Sequence, residues 1–297
     1  MKRLFPLILA LMFILCACGN EQPDETTLGG SADPAATTEG QNTAEGETTG
    51  DAEGILDPTT EIRYLLVKMI VTNEAGQELW GREYTYDETG FCTREREYSN
   101  IGASSYSRVN TPDMLGRIDS SVFTESDSST YTVSYTYDEF DRCLREDIRR
   151  EDGTTEYTEY TYNEKGNYLT LKQYIGGELV VDYAFAYTYD GSGNQVSMDE
   201  YLSGELLYHV AMTYDDQGRE ISSTTSLVNG EIQSRTESTW DGMTETRLYY
   251  SGQEQEPFMI SVFTYDGNGN VVFEETRQGE TVINRAEYIY EPFEVKK

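Results

Sequence analysis

Few side chains in this sequence could carry out chemistry, apart from its many carboxylates. The 297 residues contain one histidine, His209, which removes His-pair metal sites and leaves little for histidine-based acid–base catalysis. His209 has no Ser or Cys partner in a recognisable nucleophile motif, and the Gly-x-Ser-x-Gly pattern is absent. We interpret His209 as an ordinary strand residue, and we predict a non-enzymatic protein without a cofactor.

The carboxylates outnumber the basic residues, with 54 Asp and Glu against 22 Lys and Arg and a formal net charge of −32. This excess argues against nucleic acid as a partner, because binding phosphates requires a basic surface. A glycosidase needs two carboxylates roughly 5–10 Å apart. No such pair stands out from the acidic background, so a cell-envelope hydrolase is the least favoured alternative function.

Two glycine-rich segments superficially resemble calcium-binding loops. They are residues 190–194, Asp-Gly-Ser-Gly-Asn, and residues 266–270, Asp-Gly-Asn-Gly-Asn. The glutamate required at the twelfth loop position is replaced by Tyr201 in the first and by Arg277 in the second. We therefore predict turns here and no metal site.

The N-terminal residues have the pattern of a targeting signal, with a basic start at 1–3 and an apolar run at 4–15 that is too short to span a bilayer. Residues 15–19, Leu-Cys-Ala-Cys-Gly, resemble the bacterial lipoprotein signal, in which a small residue precedes the lipidated cysteine. The resemblance implies removal of the signal peptide 1–17 and attachment of a diacylglyceryl group, with acyl chains such as palmitate, at Cys18. Two acyl chains hold a protein stably on a membrane. We therefore expect a lipid-anchored protein at the extracytoplasmic face of the bacterial cell membrane. An ordinary secretory signal is the alternative.

Residues 18–60 are acidic and lack the side chains that build a core. Ten Asp or Glu residues occur between 19 and 60, without a Lys, an Arg or an aromatic residue, and Thr, Gly, Ala and Ser fill the gaps. Such a segment cannot bury enough apolar surface to offset its chain entropy. We predict a disordered tether that holds the rest of the chain away from the membrane.

The remaining domain, 61–297, repeats a short motif at a period near 25 residues. The clearest copies are Tyr-Thr-Tyr-Asp at 84–87, 135–138 and 187–190. The residue that ends each copy is here called the anchor. The anchors are Asp87, Asp113, Asp138, Asn163, Asp190, Asp215, Asp241, Asp266 and Glu291. Spacing this even indicates a structural repeat.

Each repeat contains two turn signals with strand-like residues between them. Asp-x-x-Gly follows several anchors, as at 87–90 and 215–218, and suits a three-residue hairpin loop with a bulge. A second signal, such as Asn229-Gly230, follows 10 to 12 residues later. The intervening residues alternate and are rich in Tyr, Thr, Val and Phe. We predict an all-β fold, an antiparallel meander of about eight two-stranded repeats.

The repeat tyrosines, three and one residues before each anchor, fall on one face of every second strand. We predict that they form two aromatic rows on the concave, covered face of a curved or rolled sheet. A closed, porin-like barrel is not expected, because lipid-facing strands need an uninterrupted apolar face. Residues 94–97, Arg-Glu-Arg-Glu, put charge on both faces of their strand.

Cys92 and Cys143 each lie five residues after an anchor. In a simple meander they would be about 20 Å apart by strand spacing. A disulfide needs Cα atoms within about 7 Å, so we interpret both cysteines as small, half-buried hydrophobic residues.

The Tyr-Thr-Tyr-Asp-x-x-Gly-Arg/Asn pattern resembles the YD repeats of the RHS family, which occur in bacterial toxin shells and in teneurins. The resemblance covers roughly 64–293. It implies an array of β-hairpins, secretion and, in some members, carbohydrate binding.

Aromatic residues outside the fixed repeat positions are the better candidates for ligand contacts, because the repeat does not require them. They are Trp80, Tyr106, Tyr201, Tyr249, Tyr250 and Phe258. We predict a surface-anchored, non-catalytic binding or adhesion module whose partner is a glycan or an envelope protein. The alternative is a passive envelope scaffold, in which the rings only hold the sheet together.

Overall fold

A computed structural model describes residues 60–296, and within that range all regular structure is β-strand. The signal peptide, Cys18 and residues 18–59 of the predicted tether lie outside the described residues. The strands are β1 (Thr60–Thr72), β2 (Glu78–Tyr86), β3 (Cys92–Ser99), β4 (Tyr106–Pro112), β5 (Ile118–Glu125), β6 (Thr130–Tyr137), β7 (Cys143–Arg150), β8 (Thr155–Tyr162), β9 (Tyr168–Ile175), β10 (Glu178–Tyr189), β11 (Gln195–Leu202), β12 (Glu205–Tyr214), β13 (Glu220–Leu227), β14 (Ile232–Asp241), β15 (Thr244–Ser251), β16 (Met259–Tyr265), β17 (Val271–Gln278) and β18 (Thr281–Lys296). None of the described residues forms a helix that could cross a membrane.

Each strand pairs with the next along the chain, and the sheet closes because β1 pairs with both β2 and β18. The predicted all-β, antiparallel meander is confirmed, whereas the predicted open, curved or rolled sheet is wrong. Closure gives hydrogen-bond partners to backbone groups that an open sheet would expose at its two edges. Charge on both faces argues against a lipid-facing wall, but it has no bearing on whether the sheet closes.

The two faces of each strand differ in exposure, as β6 illustrates. Its tyrosines and Val133 are buried or half-buried, whereas Thr132, Ser134 and Thr136 are exposed. Side chains converge on the concave face of a closed sheet, so we identify the tyrosine face as the inner face and the opposite one as the outer face. Buried residues of the inner face include Met69, Val71, Tyr84, Glu95, Asn110, Ser121, Val133, Tyr160, Phe185, Glu200, Glu245, Ser261, Thr276 and Ala286.

Seven anchors begin a turn of the same form, here called an anchor turn. In each of them, one side-chain oxygen of the anchor accepts hydrogen bonds from two backbone N–H groups of the turn. In Asp138, Oδ1 accepts the N–H groups of Phe140 and Arg142 at 2.9 and 3.0 Å. The same pair of bonds recurs at Asp87, Asp113, Asn163, Asp190, Asp215 and Asp266. These Asx turns position the fourth residue at positive φ.

An arginine four residues after the anchor links one repeat to the next. Arg142 donates to Oδ2 of Asp138 at 2.7 Å from Nε, and its guanidinium lies 4.9 Å from the ring centroid of Tyr162. Burial acts to raise the pKa of Asp138, but the hydrogen bonds from Arg142 and the backbone outweigh it and hold the pKa below its ordinary value. Arg117 and Arg219 make equivalent contacts with Tyr137 and Trp240.

A β-bulge follows each anchor turn, where the register of the hairpin shifts by one residue. The shifts lie at Thr85/Tyr86, Thr111/Pro112, Thr136/Tyr137, Thr161/Tyr162, Thr188/Tyr189, Thr213/Tyr214 and Thr264/Tyr265. A bulge disrupts the backbone ladder locally and increases twist. The repeated bulges therefore give the sheet curvature at one end of every second strand.

At several anchors, the preceding tyrosine binds the backbone of the preceding hairpin where that hairpin has its bulge; Tyr189 and Tyr265 bind side chains instead. The hydroxyl of Tyr137 donates to the carbonyl of Ile118 at 2.7 Å, and that of Tyr162 donates to Cys143 O at 2.6 Å. Tyr214 makes the corresponding bond to Gln195 O, and Tyr86 donates to Leu66 O within β1. The repeat before Asp113 has Pro112 instead of tyrosine, and there the side-chain amide of Asn110 donates to Cys92 O at 2.8 Å.

Two anchors depart from the predicted pattern. Asp241 ends β14 and is joined to β15 by Gly242 and Met243 alone, so this hairpin has no bulge or Asx turn. Glu291 lies inside β18 rather than at a turn.

Cys92 is buried and Cys143 is half-buried, and both are thiols, in agreement with their interpretation as small hydrophobic residues. Each thiol donates to the carbonyl two residues further along the chain.

The closure of the sheet is sealed by a small apolar cluster. Met69 and Val71 of β1 pack with Ala286 of β18, and Trp80 and Tyr288 cover them. These strands lie at the two ends of the described chain, so the cluster joins residues more than 200 positions apart in sequence.

The Tyr137 hydroxyl bond offers a test of how consecutive hairpins are held together. Tyr137→Phe should lower the free energy of unfolding by about 1 kcal/mol, because the Ile118 carbonyl loses its partner beside the bulge. Tyr64→Phe is the control, since Tyr64 is on the outer face of β1 and 55% exposed. Urea unfolding of both variants measures the difference. Equal stabilities would show that the hydroxyl does not connect the hairpins.

Candidate functional site

The inner face differs in chemistry around the sheet. Many of its charged side chains lie on β2 to β8, and others lie on β15 and β17. We call the inner-face side chains of β2 to β8 the polar wall. Its acidic and basic residues include Arg82, Glu95, Glu97, Arg108, Glu125, Glu146, Arg150 and Glu156. Register places them on the same face as the repeat tyrosines, so acids and guanidinium groups alternate with aromatic rings.

Glu95 is the centre of the polar wall. Its side chain is only 4% exposed, and it accepts a hydrogen bond from the hydroxyl of Tyr106 at 2.5 Å. Arg82 and Arg108 lie 3.9 and 4.0 Å from its carboxylate oxygens. Burial, followed by the hydrogen bond to Glu95, raises the pKa of Tyr106, so the phenol is held neutral as a donor. This acid is fully engaged in holding three strands together.

Aromatic rings continue the polar wall across the sheet. Tyr106, Phe123 and Tyr131 form a row in which the last two stack with centroids 4.8 Å apart. The guanidinium groups of Arg108 and Arg150 lie 5.3 and 5.2 Å from the Phe123 and Tyr131 centroids. Guanidinium groups therefore cover ring faces in this part of the polar wall. These cation–π contacts stabilise the wall, but they leave less ring surface free to stack on a ligand.

The inner face of β9 to β13 has a different composition, and we call it the apolar wall. It carries Leu171, Gln173, Tyr183, Phe185, Tyr187, Met198, Glu200, Leu202, Tyr208, Val210, Met212, Ser223, Thr225 and Leu227. Glu200 is the buried carboxylate of this wall; Glu220, opposite Tyr214 at the start of β13, is exposed. The basic residues of these five strands, Lys172 and His209, lie on the outer face, where they pair with Asp182 and Asp199.

A second buried acid lies on the inner face of β15 and is fully paired. Glu245 is 1% exposed and accepts hydrogen bonds from Ser238, Arg247 and the hydroxyl of Tyr265. Burial, together with this bond to Glu245, raises the pKa of Tyr265 to about 12. Both this cluster and the Glu95 cluster are therefore structural networks with satisfied partners.

The six aromatic residues predicted as ligand contacts do not converge on one site. Trp80, Tyr106 and Tyr249 lie on the inner face, and Trp80 packs on the closing cluster. Tyr201 lies on the outer face, and so does Tyr250, which is 6% exposed under Arg235 at 4.1 Å.

One pair among them is brought together at the rim of the interior. Tyr249 of β15 and Phe258, in the loop that leads to β16, have ring centroids 6.5 Å apart. The backbone N–H of Phe258 donates to Tyr249 O at 2.8 Å, and Phe258 is 49% exposed. We call this pair the rim pair. It joins Tyr249, a ring of the inner face, to Phe258, an exposed ring that a ligand can reach from solvent.

Sequence reasoning missed Glu95, Glu200 and Glu245, which are the most buried acids of the inner face. Glu95 and Glu200 lie in the strand after an anchor turn, and Glu245 lies in the strand after the short loop at Asp241; no fixed repeat position marks any of them. The alternation of side chains, counted across the bulge in β3 and β11 and without a bulge in β15, is the signal that could have placed these acids among the tyrosines.

The Glu95 cluster predicts a large difference between two charge-removing substitutions. Glu95→Gln should lower the free energy of unfolding by about 2–3 kcal/mol, because a buried acid that bridges Arg82, Tyr106 and Arg108 loses its charge. Glu83→Gln should cost about 0–1 kcal/mol, because Glu83 pairs with Lys68 on the outer face and its side chain is 43% exposed. Urea unfolding at neutral pH measures both. Losses of equal size would contradict a structural role for Glu95.

No protein-family model matches the sequence, and no curated protein is significantly similar to it. Among solved structures, the chain matches the TcdB2–TccC3–Cdc42 complex at 14% identity and a TM-score of 0.35, over 80% of this chain and 16% of that one. It matches a porin-like protein from Bacteroides uniformis at 14% identity and a TM-score of 0.40, over 76% and 98% of the two chains. A match to the Photorhabdus luminescens Tc holotoxin pore has 11% identity and a TM-score of 0.18. The chain spans about a sixth of the toxin chains, and at these TM-scores none of the likenesses bears on function.

Proposed function

We propose that this chain is a lipoprotein with YD-type repeats, anchored through Cys18 to the extracytoplasmic face of a bacterial membrane, and that its closed sheet is a non-catalytic glycan-binding module. The observation that carries the proposal is the rim pair, an accessible aromatic surface beside an inner face of arginines, acids and tyrosines. Sugars present apolar C–H faces and hydroxyl groups together, and such a surface offers partners to both.

The charged groups of the inner face support binding rather than catalysis. Glu95 and Glu245 are each held by an arginine and a tyrosine hydroxyl. A catalytic acid or base must exchange a proton with its substrate, and acids engaged in this way are poorly suited to do so. Arginine and tyrosine groups at the margins of these networks can instead donate hydrogen bonds to sugar hydroxyls.

A passive envelope scaffold is the second candidate. The repeat tyrosines favour it, because the hydroxyls of Tyr137, Tyr162 and Tyr214 bind backbone carbonyls of the preceding hairpin. A scaffold explains those tyrosines without any ligand. It does not explain the rim pair, which the repeat does not require.

A glycan array probed with the full-length chain in detergent tests the binding function, and calorimetry with the best glycan then measures affinity. Phe258→Ala and Tyr249→Ala should each weaken binding about three- to tenfold, which corresponds to about 1 kcal/mol of lost ring contact. Phe140→Ala is the matched control, because Phe140 is 69% exposed in an anchor turn at the opposite end of the sheet. A silent array, or equal losses in all three variants, would favour the scaffold.

The anchor has its own test in labelled cells. Cys18→Ser should abolish incorporation of radiolabelled palmitate, because the thiol that accepts the diacylglyceryl group is removed. Cys16→Ser should leave labelling unchanged, since Cys16 lies inside the proposed signal peptide. Label retained by the Cys18→Ser chain would rule out Cys18 as the lipidated residue.

A further inference from the structure

Glu200 on β11 is a buried acid that the rest of the inner face leaves unsatisfied. The residue is 6% exposed, and its Oε1 atom has no hydrogen-bond partner among the described residues. An unpaired carboxylate in such surroundings is costly, because charge is removed from water without compensation. Glu95 and Glu245, by contrast, each have an arginine guanidinium group and a tyrosine hydroxyl as partners.

The neighbours of Glu200 are aromatic. Register places it opposite Phe185 on β10 and opposite Tyr208 on β12, at the close spacing of directly paired residues. Phe185 stacks with Tyr183 at a centroid distance of 6.2 Å. The acid therefore lies between rings of two strands, with further apolar side chains, Met198 and Leu202, on either side of it along β11.

No cation of the chain is available to this carboxylate within the described strands around it. The strands β10 to β13 contain no Lys or Arg, and the Lys172 ammonium of β9 pairs with Asp182 on the outer face. His209 is also on the outer face, bonded to Asp199 at 2.6 Å. The groups that face Glu200 from β10 and β12 and can titrate are Tyr183, Tyr187 and Tyr208, and burial raises the pKa of Tyr183 and of Tyr187.

From this geometry we propose that the apolar wall around Glu200 is a binding site for an organic cation, a primary or quaternary ammonium group. The carboxylate supplies the opposite charge, and the flanking rings supply cation–π contacts to the same group. Aromatic rings with one acid and no competing base are the combination that recognises such ligands. The site lies on β10 to β12, apart from the rim pair on β15 and the adjoining loop. Cation binding can therefore be tested independently of glycan binding.

Proton release offers a signature that a purely structural acid would lack. Burial raises the pKa of Glu200 above its ordinary value in the free protein. A bound cation stabilises the ionised carboxylate and lowers that pKa, so binding at a pH near the free-state pKa should expel a proton. Burial raises the pKa of Tyr183 and of Tyr187, which moves their titration away from that of Glu200.

Calorimetric titration of the full-length chain with tetramethylammonium and n-butylammonium chloride tests the site, with equal concentrations of sodium chloride as the ionic-strength blank. We expect a Kd on the order of 1 mM or below, with a heat that changes between buffers of different ionisation enthalpy. Glu200→Gln keeps the shape of the side chain and should weaken binding at least tenfold and remove the buffer dependence. Phe185→Leu should weaken binding a few-fold through loss of one ring.

Glu205→Gln is the matched control for general attraction of cations to an acidic protein. It removes the same charge from the same hairpin, at an exposed position, and should leave affinity unchanged. Absence of binding by the wild-type chain, or equal affinity in Glu200→Gln, would overturn the proposal and identify Glu200 as a protonated core residue. A thermal melt of each variant confirms that the variants being compared are folded.

Discussion

The hydrogen bond from a repeat tyrosine to the bulge of the preceding hairpin is the interaction on which this sheet depends. A bulge bends and twists a hairpin, but it also leaves a backbone carbonyl without its ladder partner. Tyr137, Tyr162 and Tyr214 donate to these carbonyls from the next hairpin. Where proline replaces the tyrosine, Asn110 makes the equivalent bond to Cys92 O. At this bulge, a different side chain at a different position satisfies the same kind of carbonyl.

This coupling makes each hairpin depend on its neighbour, as in other repeat proteins, and closure then adds a constraint that no single repeat contains. The last strand must meet the first at the correct register, and the contact there is the Met69–Val71–Ala286 cluster rather than a tyrosine row. A wall one strand thick cannot bury all its rings, so the inner face keeps half-exposed aromatic and charged groups. The inner face therefore presents groups that can contact a ligand as well as groups that stabilise the sheet.

The local features of the fold follow from sequence, whereas closure and the sites do not. Asp138 and the residues after it predict a turn and bulge because an Asx turn needs only its own few residues. Closure depends on β1, which precedes the first anchor, and on β18, which continues past Glu291, so the repeat motif does not encode it. The departure at Asp241 comes from a shorter loop than the motif implies. The rim pair follows from a loop conformation, which periodicity cannot predict.

The contrast between Glu95 and Glu200 shows how one residue type takes opposite roles on a single inner face. Both acids lie in the strand after an anchor turn, and both are buried. Arginines on β2 and β4 flank Glu95, so burial there strengthens ion pairs that join strands. The strands beside Glu200 carry Phe185 and Tyr208 at the register positions that face it, so burial there leaves a charge uncompensated. A buried acid without a partner, between rings that attract cations, has the charge and the surroundings that the proposed organic cation would complete.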